Sequence, residues 1–341
     1  MTIAAGGGVV VAPAPLHDAV AAVLEADGAA ADDAQSIAGL LIDADLSAHP
    51  SHGVFRIAEY HRGCRSGHIN PIGQPRIIRD GGTTVTVDGD RAFGQIATKF
   101  AGDTALERAR THGVCVVALR QCSHVGRLSD HVERIASRGM IGMMLANDSG
   151  ANPIVAPPCG SDGRLSTNPV AFGIPRAAPP HLVFDMASST VAYGTLILRD
   201  RWTNSAPSEV LQPVGGHKGF GLALLGEVLA GILTGAGWSG SAPGPDYQGV
   251  MLFAIDPDRF CGLPVLVEAV EELVAWVKAS PPRGAEPVLV PGEAGELARR
   301  RNRGGIRIDP ITWREMLAVF AETGVAPPPS RQLGVTREET L

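Results

Sequence analysis

Val114-Cys115-Val116-Val117-Ala118-Leu119 and, beyond a helical interval over 128–138, Ile141-Gly142-Met143-Met144-Leu145-Ala146 decide the fold. Neither run shows polar alternation, which is the pattern expected of strands in a sheet that helices cover on both faces. Outward from this pair the same texture continues: a strand at 83–87, a helix at 95–111, strands at 170–175, 182–186 and 250–255, and a long helix over 217–233. Strands alternating with helices predict an α/β core.

The flanks read differently. Leu16, Val20, Val23 and Leu24 share one face of a predicted helix over 16–27, and Ile37, Leu40, Leu41 and Ala44 share one over 31–47. A third helical pattern (Val54, Ile57, Ala58) stops at Gly63 or Gly67 and runs into the linker His68-Ile69-Asn70-Pro71-Ile72-Gly73-Gln74-Pro75. Near the other end, Leu266, Val270, Leu273, Val274 and Val277 mark a helix, residues 288–293 read as a strand running into a loop, and Asp309-Pro310 opens a last helix as N-cap and N1. The expected division is a helical unit over 1–75, an α/β cofactor-binding core over 76–256, and a segment over 257–341 that packs back on the helical unit. Residues 1–13 read as a disordered leader, and the tail from about Val325 as loosely held.

Bulk composition excludes several classes. With 29 Lys+Arg against 35 Asp+Glu the net charge is −6, so no positive field is available to hold a phosphate backbone, and nucleic acid is not expected as a partner. Five widely spaced cysteines, never in a C-x-x-C pair, argue against a disulfide framework or a structural zinc and for a reducing compartment. No run is long and apolar enough to span a membrane and no basic n-region precedes the first apolar stretch, so the expected location is cytoplasmic, without membrane association.

Four stretches could carry chemistry. Gly235-Ala236-Gly237-Trp238-Ser239-Gly240 spells a dinucleotide fingerprint, but it follows a helix where that motif must follow a strand, so no Rossmann turn is expected. Pro213-Val214-Gly215-Gly216-His217-Lys218-Gly219-Phe220-Gly221 sets glycines and a lysine at the start of an apolar helix. This is either an anion pocket or a glycine turn beside a solvated lysine. His49-Pro50-Ser51-His52-Gly53 carries two histidines, with His61 and His68 downstream. The proline denies the pair a shared helix face, so no metal is expected, and the simplest role for His52 is to give or take a proton near neutral pH. Gln121 to Arg127 follows directly on a buried strand, where open α/β sheets place ligands; the bland reading has Ser123 or His124 capping the next helix.

Ser51-His52-Gly53 with Arg56 and Tyr60, Ser123-His124-x-Gly126, Thr167-Asn168-Pro169, Asp185-x-Ala187-Ser188, Gly215-Gly216-His217-Lys218-Gly219-Phe220-Gly221 and Pro291-Gly292-Glu293 stand in the order and approximate spacing of one family. From about residue 15 to 320 the chain resembles the malate/L-lactate dehydrogenases, which include sulfolactate, ureidoglycolate and diketogulonate dehydrogenases and cyclic ketimine reductases. The resemblance implies a three-layer, non-Rossmann α/β fold around a mixed sheet of the sulfolactate dehydrogenase type. It further implies a homodimer with the active site near the subunit interface, NAD or NADP, and hydride transfer between nicotinamide and a small 2-oxo/2-hydroxy acid or cyclic ketimine. By the same resemblance His52 is the proton donor, with Ser51 beside it and His124 in the same pocket. Arg56 takes the substrate carboxylate, with Tyr60 also on the substrate side. Thr167, Asn168, Pro169, His217, Lys218, Gly219, Gly292 and Glu293 face the cofactor, and Asp185 stands behind them. The chain departs from the family where a lysine is usual and Thr195 stands, where Pro157-Pro158-Cys159-Gly160 alters a Pro-x-Gly-Gly turn, and where the segment 196–213 is short. Those departures keep open an alternative: a homologue that has lost redox activity and uses the His52 pocket for non-redox proton transfer or ligand binding.

Overall fold

A computed structural model describes residues 8–149, 153–203, 210–241 and 247–333. Positions 1–7 of the expected leader, 334–341 of the expected tail and 204–209 of the short segment lie outside the described residues. The chain divides into two units, residues 1–67 with 297–341 and residues 68–296.

The first unit starts on β1 (Val9–Val11), α1 (Pro13–Ala26) and α2 (Ala31–Leu46), then two 3-10 turns at Pro50–His52 and Val54–Arg56, and α3 (Ile57–Ser66). Residues 8–13 are therefore not a loose leader: three consecutive β-branched valines suit a strand, and Val9 and Val11 are buried. The apolar stripes read from sequence are the buried faces, with Leu16, Val20, Val23 and Leu24 on α1 and Ile37 and Leu41 on α2. Of the two stops offered for α3, the chain uses Gly67, whose φ of 74° is the left-handed C′ conformation glycine adopts most readily.

The second unit holds a seven-stranded sheet in the order β2-β3-β4-β8-β5-β6-β7. Its strands are β2 (Arg76–Asp80), β3 (Thr84–Asp88), β4 (Val114–Cys122), β5 (Ile141–Ser149), β6 (Val170–Ile174), β7 (Leu182–Met186) and β8 (Tyr247–Ile255). Its helices are α4 (Gly94–His112), α5 (Leu128–Ala136), α6 (Tyr193–Thr203), α7 (His217–Gly226) and α8 (Leu263–Lys278), with α9 (Glu293–Asn302) crossing the boundary of the unit. Among the described residues, β3 and β4 are the one pair of neighbouring strands in this sheet that pairs parallel; β8 lies antiparallel between β4 and β5.

Alternate residues of the central strands feed two apolar layers. Cys115, Val117, Leu119, Met144, Ala146, Val250, Leu252 and Ala254 pack with α4 and α5, and the spacing of Ala97, Ala101, Ala105 and Ala109 brings α4 close to the sheet. On the other face Val116, Ala118, Leu145, Met251 and Phe253 meet Leu229 and Ala230. These two belong to a π-helical turn, Glu227–Ile232, that continues α7. This is the mixed-sheet, three-layer architecture expected from the family resemblance. The long helix read over 217–233 is thus α-helical only to Gly226. Residues 257–296 stay with this unit rather than packing back on the first, because Val270 and Val274 of α8 bury against Leu182 and Val290. Residues 288–290, read as a strand, pair with no strand among the described residues and lead through a turn into α9.

The chain then returns to the first unit through β9 (Ile306–Ile308), α10 (Pro310–Thr323) and β10 (Ser330–Gln332). β9 and β10 pair antiparallel on either side of β1, so residues 330–332 of the tail are held in a sheet. Trp313, Met316 and Phe320 form the buried face of α10, and the Asp309 carboxylate accepts from the amides of Ile311 (3.0 Å) and Thr312 (2.9 Å), as the Asp-Pro opening predicts. Asp309→Ala removes that cap and is expected to destabilise the first unit by about 1 kcal/mol. Denaturant titration followed through helical CD checks the shift.

Candidate functional site

Ser51 and His52 lie on the first 3-10 turn, closed by the His52 amide donating to the His49 carbonyl at 3.0 Å. Ser51 is buried, and its Oγ lies 3.0 Å from Nδ1 of His52. The glycine after them is a steric requirement. A Cβ on Gly53 would sit 2.2 Å from the Asp45 carboxylate, the same carboxylate that accepts from the Val54 amide at 2.8 Å. Arg56 is buried, its Nε donating to the Ser51 carbonyl (2.9 Å) and its Nη1 to Glu59 (2.6 Å), while its guanidinium carbon lies 5.0 Å from the centre of the Phe55 ring. Tyr60 is fully buried on α3. His61 is not oriented toward Ser51: its Nδ1 meets Asp27 (2.8 Å) and its Nε2 meets Glu322 (3.1 Å).

In the second unit, Ser123 does cap a helix, but the earlier one: its Oγ accepts from the Gly94 amide at the start of α4. The backbone of Ser123 and His124 lies so close that a Cβ on Gly94 would meet their carbonyl oxygens at 2.2 and 2.4 Å. Three residues with no sequence signal hold this loop. Gln248 of β8 accepts from the Val125 amide (2.9 Å) and donates to Asp148 of β5, and His131 of α5 donates through Nε2 to the Val125 carbonyl (2.9 Å). Asp148 also accepts from Ser166 Oγ (3.2 Å), tying the His124 loop to the turn that carries Thr167. Asp185 accepts from the Ser129 amide in the first turn of α5 (2.9 Å), and burial pushes its carboxyl above the ordinary carboxylate range.

The motifs expected to face a cofactor are partly brought together. The Thr167 carbonyl accepts from both the amide and Oγ of Ser188 (each 2.8 Å), and the Ser188 carbonyl accepts from the Val214 amide (2.9 Å). Gly219 is wedged beneath this chain, where a Cβ would come within 2.3 Å of the Val214 carbonyl and 2.7 Å of the Ser188 carbonyl. Asn168 joins the same assembly by donating to the Ala223 carbonyl of α7 (3.1 Å), and the Pro169 carbonyl accepts from the Ala146 amide. Gly215 (φ 60°) and Gly216 (φ 63°) form a left-handed lip ahead of the α7 N-terminus; around Gly216 and Gly221, adjoining residues and the helix's own backbone aside, no atom of the described residues lies within 4 Å of where a Cβ would stand. Lys218 and His217 are exposed there. An exposed lysine, unobstructed glycine backbone and a helix N-terminus suit a phosphate or a nicotinamide ribose, so the residues present fit the implied cofactor.

Gly292 and Glu293 are engaged elsewhere. Gly292 (φ 97°) lies against the His181 carbonyl, 2.5 Å from its Cβ position. Burial acting to raise the Glu293 carboxyl is outweighed by Lys278 Nζ at 2.5 Å and the Val290 amide at 3.1 Å, which hold it below its ordinary value. The Gly-x-Gly-x-x-Gly stretch is the turn after the π-helical segment, with Gly235 and Gly237 in left-handed conformations.

A fold of this kind with these motifs defines a class, and comparisons place the chain in it. The malate/L-lactate dehydrogenase family model matches residues 11–212 and 203–317. Hydroxycarboxylate dehydrogenase B of Escherichia coli K12 is 32% identical, covering 91% of this chain and 93% of its own, and L-lactate dehydrogenase of Cupriavidus necator is 32% identical over 90% and 95%. Among solved structures, a putative malate/lactate dehydrogenase from E. coli superposes with a TM-score of 0.86 at 29% identity (93% and 96% covered). A delta1-piperideine-2-carboxylate reductase from Pseudomonas syringae superposes with 0.79 at 27% (91% and 99%). The chain belongs to the malate/L-lactate dehydrogenase family and is an enzyme of the dehydrogenase type.

His131 gives the His124 loop a pH dependence. Burial, opposed by the bond to Val125, holds its pKa down at about 4, against 6.5 for a free imidazole. In the window between those values the unfolded chain binds a proton that the folded chain does not, so stability is complete above pH 6.5 and declines as pH falls toward 4. Urea denaturation is expected to show less stability at pH 5 than at pH 7, and His131→Gln a shallower dependence; equal slopes would assign the effect to other groups.

Proposed function

We propose that this enzyme interconverts a small 2-hydroxy acid and its 2-oxo acid, or an amino acid and its cyclic ketimine, with NAD or NADP as partner. The carrying observation is the 3.0 Å contact between Ser51 Oγ and His52 Nδ1 on a turn fixed by Asp45 and Arg56. A ring held at Nδ1 exchanges its proton through Nε2, so His52 protonates the carbonyl oxygen or imine nitrogen during reduction and takes the proton back during oxidation. Ser51 sets the ring plane. Arg56, anchored by Ser51 and Glu59, supplies positive charge for the substrate carboxylate. Tyr60, buried beside it in sequence on α3, supports that side, and His124 contacts the substrate from its own loop. Thr167, Asn168, Pro169, His217, Lys218 and Gly219 hold the cofactor, with Asp185, Gly292 and Glu293 as the support of those segments. Bound nicotinamide supplies or accepts the hydride.

A homodimer belongs to this reading. The outward stripe Leu224, Leu225, Val228, Ile232 and Leu233 is uncharged and 43–65% exposed, the kind of apolar surface that marks an interface. The second reading, a homologue without redox activity that moves a proton or binds a ligand at His52, is favoured by Thr195 and by the short segment 196–213.

Fluorescence titration with NADH and with NADPH separates the two. Saturable binding of either supports the dehydrogenase; no binding at millimolar concentration overturns it. His52→Ala is then expected to lower kcat by roughly 10²–10⁴-fold while cofactor Kd stays within about twofold. Full turnover in the variant would remove His52 from the mechanism.

A further inference from the structure

Behind the α7 cradle lies a buried carboxylate that none of the roles above uses. Glu227 opens the π-helical turn and is 5% exposed, and the hydrogen bonds it receives come from uncharged groups. Its Oε1 accepts from Asn168 Nδ2 (2.8 Å) and Ser239 Oγ, and its Oε2 accepts from Asn147 Nδ2 (2.9 Å) and the Ser239 amide (2.9 Å). The Ser239 hydroxyl donates to this carboxylate while accepting from the Ser166 amide (2.9 Å). Both asparagines are 1% exposed, and the Oδ1 of each has no hydrogen-bond partner among the described residues.

A carboxylate only accepts, so it settles which way each amide faces: both Nδ2 groups point at Glu227 and both Oδ1 atoms point away. The orientation that serves Glu227 leaves the Oδ1 of each asparagine unsatisfied. Asn168 is held harder still. It keeps a left-handed φ of 31°, uncommon for a non-glycine residue, and its Nδ2 also bonds the Ala223 carbonyl of α7. Through Thr167, Ser188 and Val214 the same turn supports Gly219 in the first turn of that helix. Glu227 stands where α7 passes into the π-helical turn.

We propose that Glu227 is a positioning residue for cofactor binding: by fixing the amide orientation of Asn168 and Asn147 it sets the Thr167-Asn168-Pro169 turn against the glycine lip of α7. This rests on the nicotinamide reading above. Glu227→Gln keeps the shape but introduces a donor, so one of the two asparagines must turn over. Because the Ser239 amide requires an oxygen at the Oε2 place, the new Nε2 takes the Oε1 place and faces Asn168 Nδ2, donor against donor.

The experiment titrates wild type and Glu227→Gln with NADH and NADPH by fluorescence, with thermal melting of each in parallel. Glu227→Gln is expected to raise cofactor Kd by about fivefold or more, the scale of one misplaced hydrogen bond. A folded Glu227→Gln with wild-type Kd and only a lowered Tm overturns the proposal. Should Glu227→Gln not fold, Asn168→Gly, which accepts the left-handed backbone and removes the amide, is expected to weaken binding similarly; an unchanged Kd there overturns the proposal. Wild type that binds neither cofactor defeats the dehydrogenase reading itself, and this inference with it.

Discussion

The second unit depends on where β8 lies. Running antiparallel between β4 and β5, it has neighbours on both edges and apolar layers on both faces, with Val250, Leu252 and Ala254 to one side and Met251 and Phe253 to the other. Such a strand has no wet surface along its middle, and polar residues enter only where the layers stop. That happens at Gln248, paired with Cys122 at the end of β4 and with Asp148 near the end of β5. The carboxyl ends of two strands thus meet the amino end of a third, and the loop with His124 and the turn with Thr167 are both attached there through the side chains of Gln248 and Asp148. Ligand-binding loops at strand carboxyl ends are the rule in open α/β sheets; here the antiparallel insertion of β8 adds an amide that couples two of them.

The elements legible in the sequence are those whose pattern is local. Apolar runs of six, amphipathic stripes of four, and an Asp-Pro opening each carry their own signal, and β4, β5, α1, α2 and α10 follow them closely. Elements that need a distant partner are not legible. β2, Arg-Ile-Ile-Arg-Asp, is exposed along its length and exists only because β3 pairs with it. β1, β9 and β10 are three residues each and make one sheet from both ends of the chain. α9 ends in Glu-Leu-Ala-Arg-Arg-Arg-Asn, charge-rich with only Ala298 buried, so it offers no apolar stripe to read. In α7 the change to π geometry begins at Glu227, in a stretch whose hydrophobicity alone predicts uninterrupted helix.

The candidate site divides the same way. Ser-His-Gly and the glycine-lysine turn announce themselves, because chemistry and backbone both demand those residue types. Asp45, Glu59, Asp148, Gln248 and Glu227 carry no such mark. A carboxylate or amide in isolation reads as a solvated surface group, and only the fold shows that Asp45 occupies the space a Gly53 side chain would need, or that Gln248 satisfies the Val125 amide from 123 residues away. The resemblance supplied the residues expected to touch ligand; it said nothing of these buried acceptors and donors, which determine whether the first group stays in place.

Left-handed backbone around the α7 N-terminus is handled in two opposite ways, and the contrast explains the choice of residue at each. Gly215 and Gly216 adopt it at no steric cost, and around Gly216 the space that a Cβ would face is open, so the backbone itself can approach a ligand. Asn168 adopts it fully buried, with its side chain bonded to Ala223 and Glu227. Glycine there would remove the strain but also both bonds, exchanging a fixed turn for a mobile one. An open lip of glycine beside a tied asparagine gives a surface that a ligand can reach and a base that does not move when it arrives, which is the preorganisation that a hydride-transfer enzyme needs where donor and acceptor carbons must be held at contact distance.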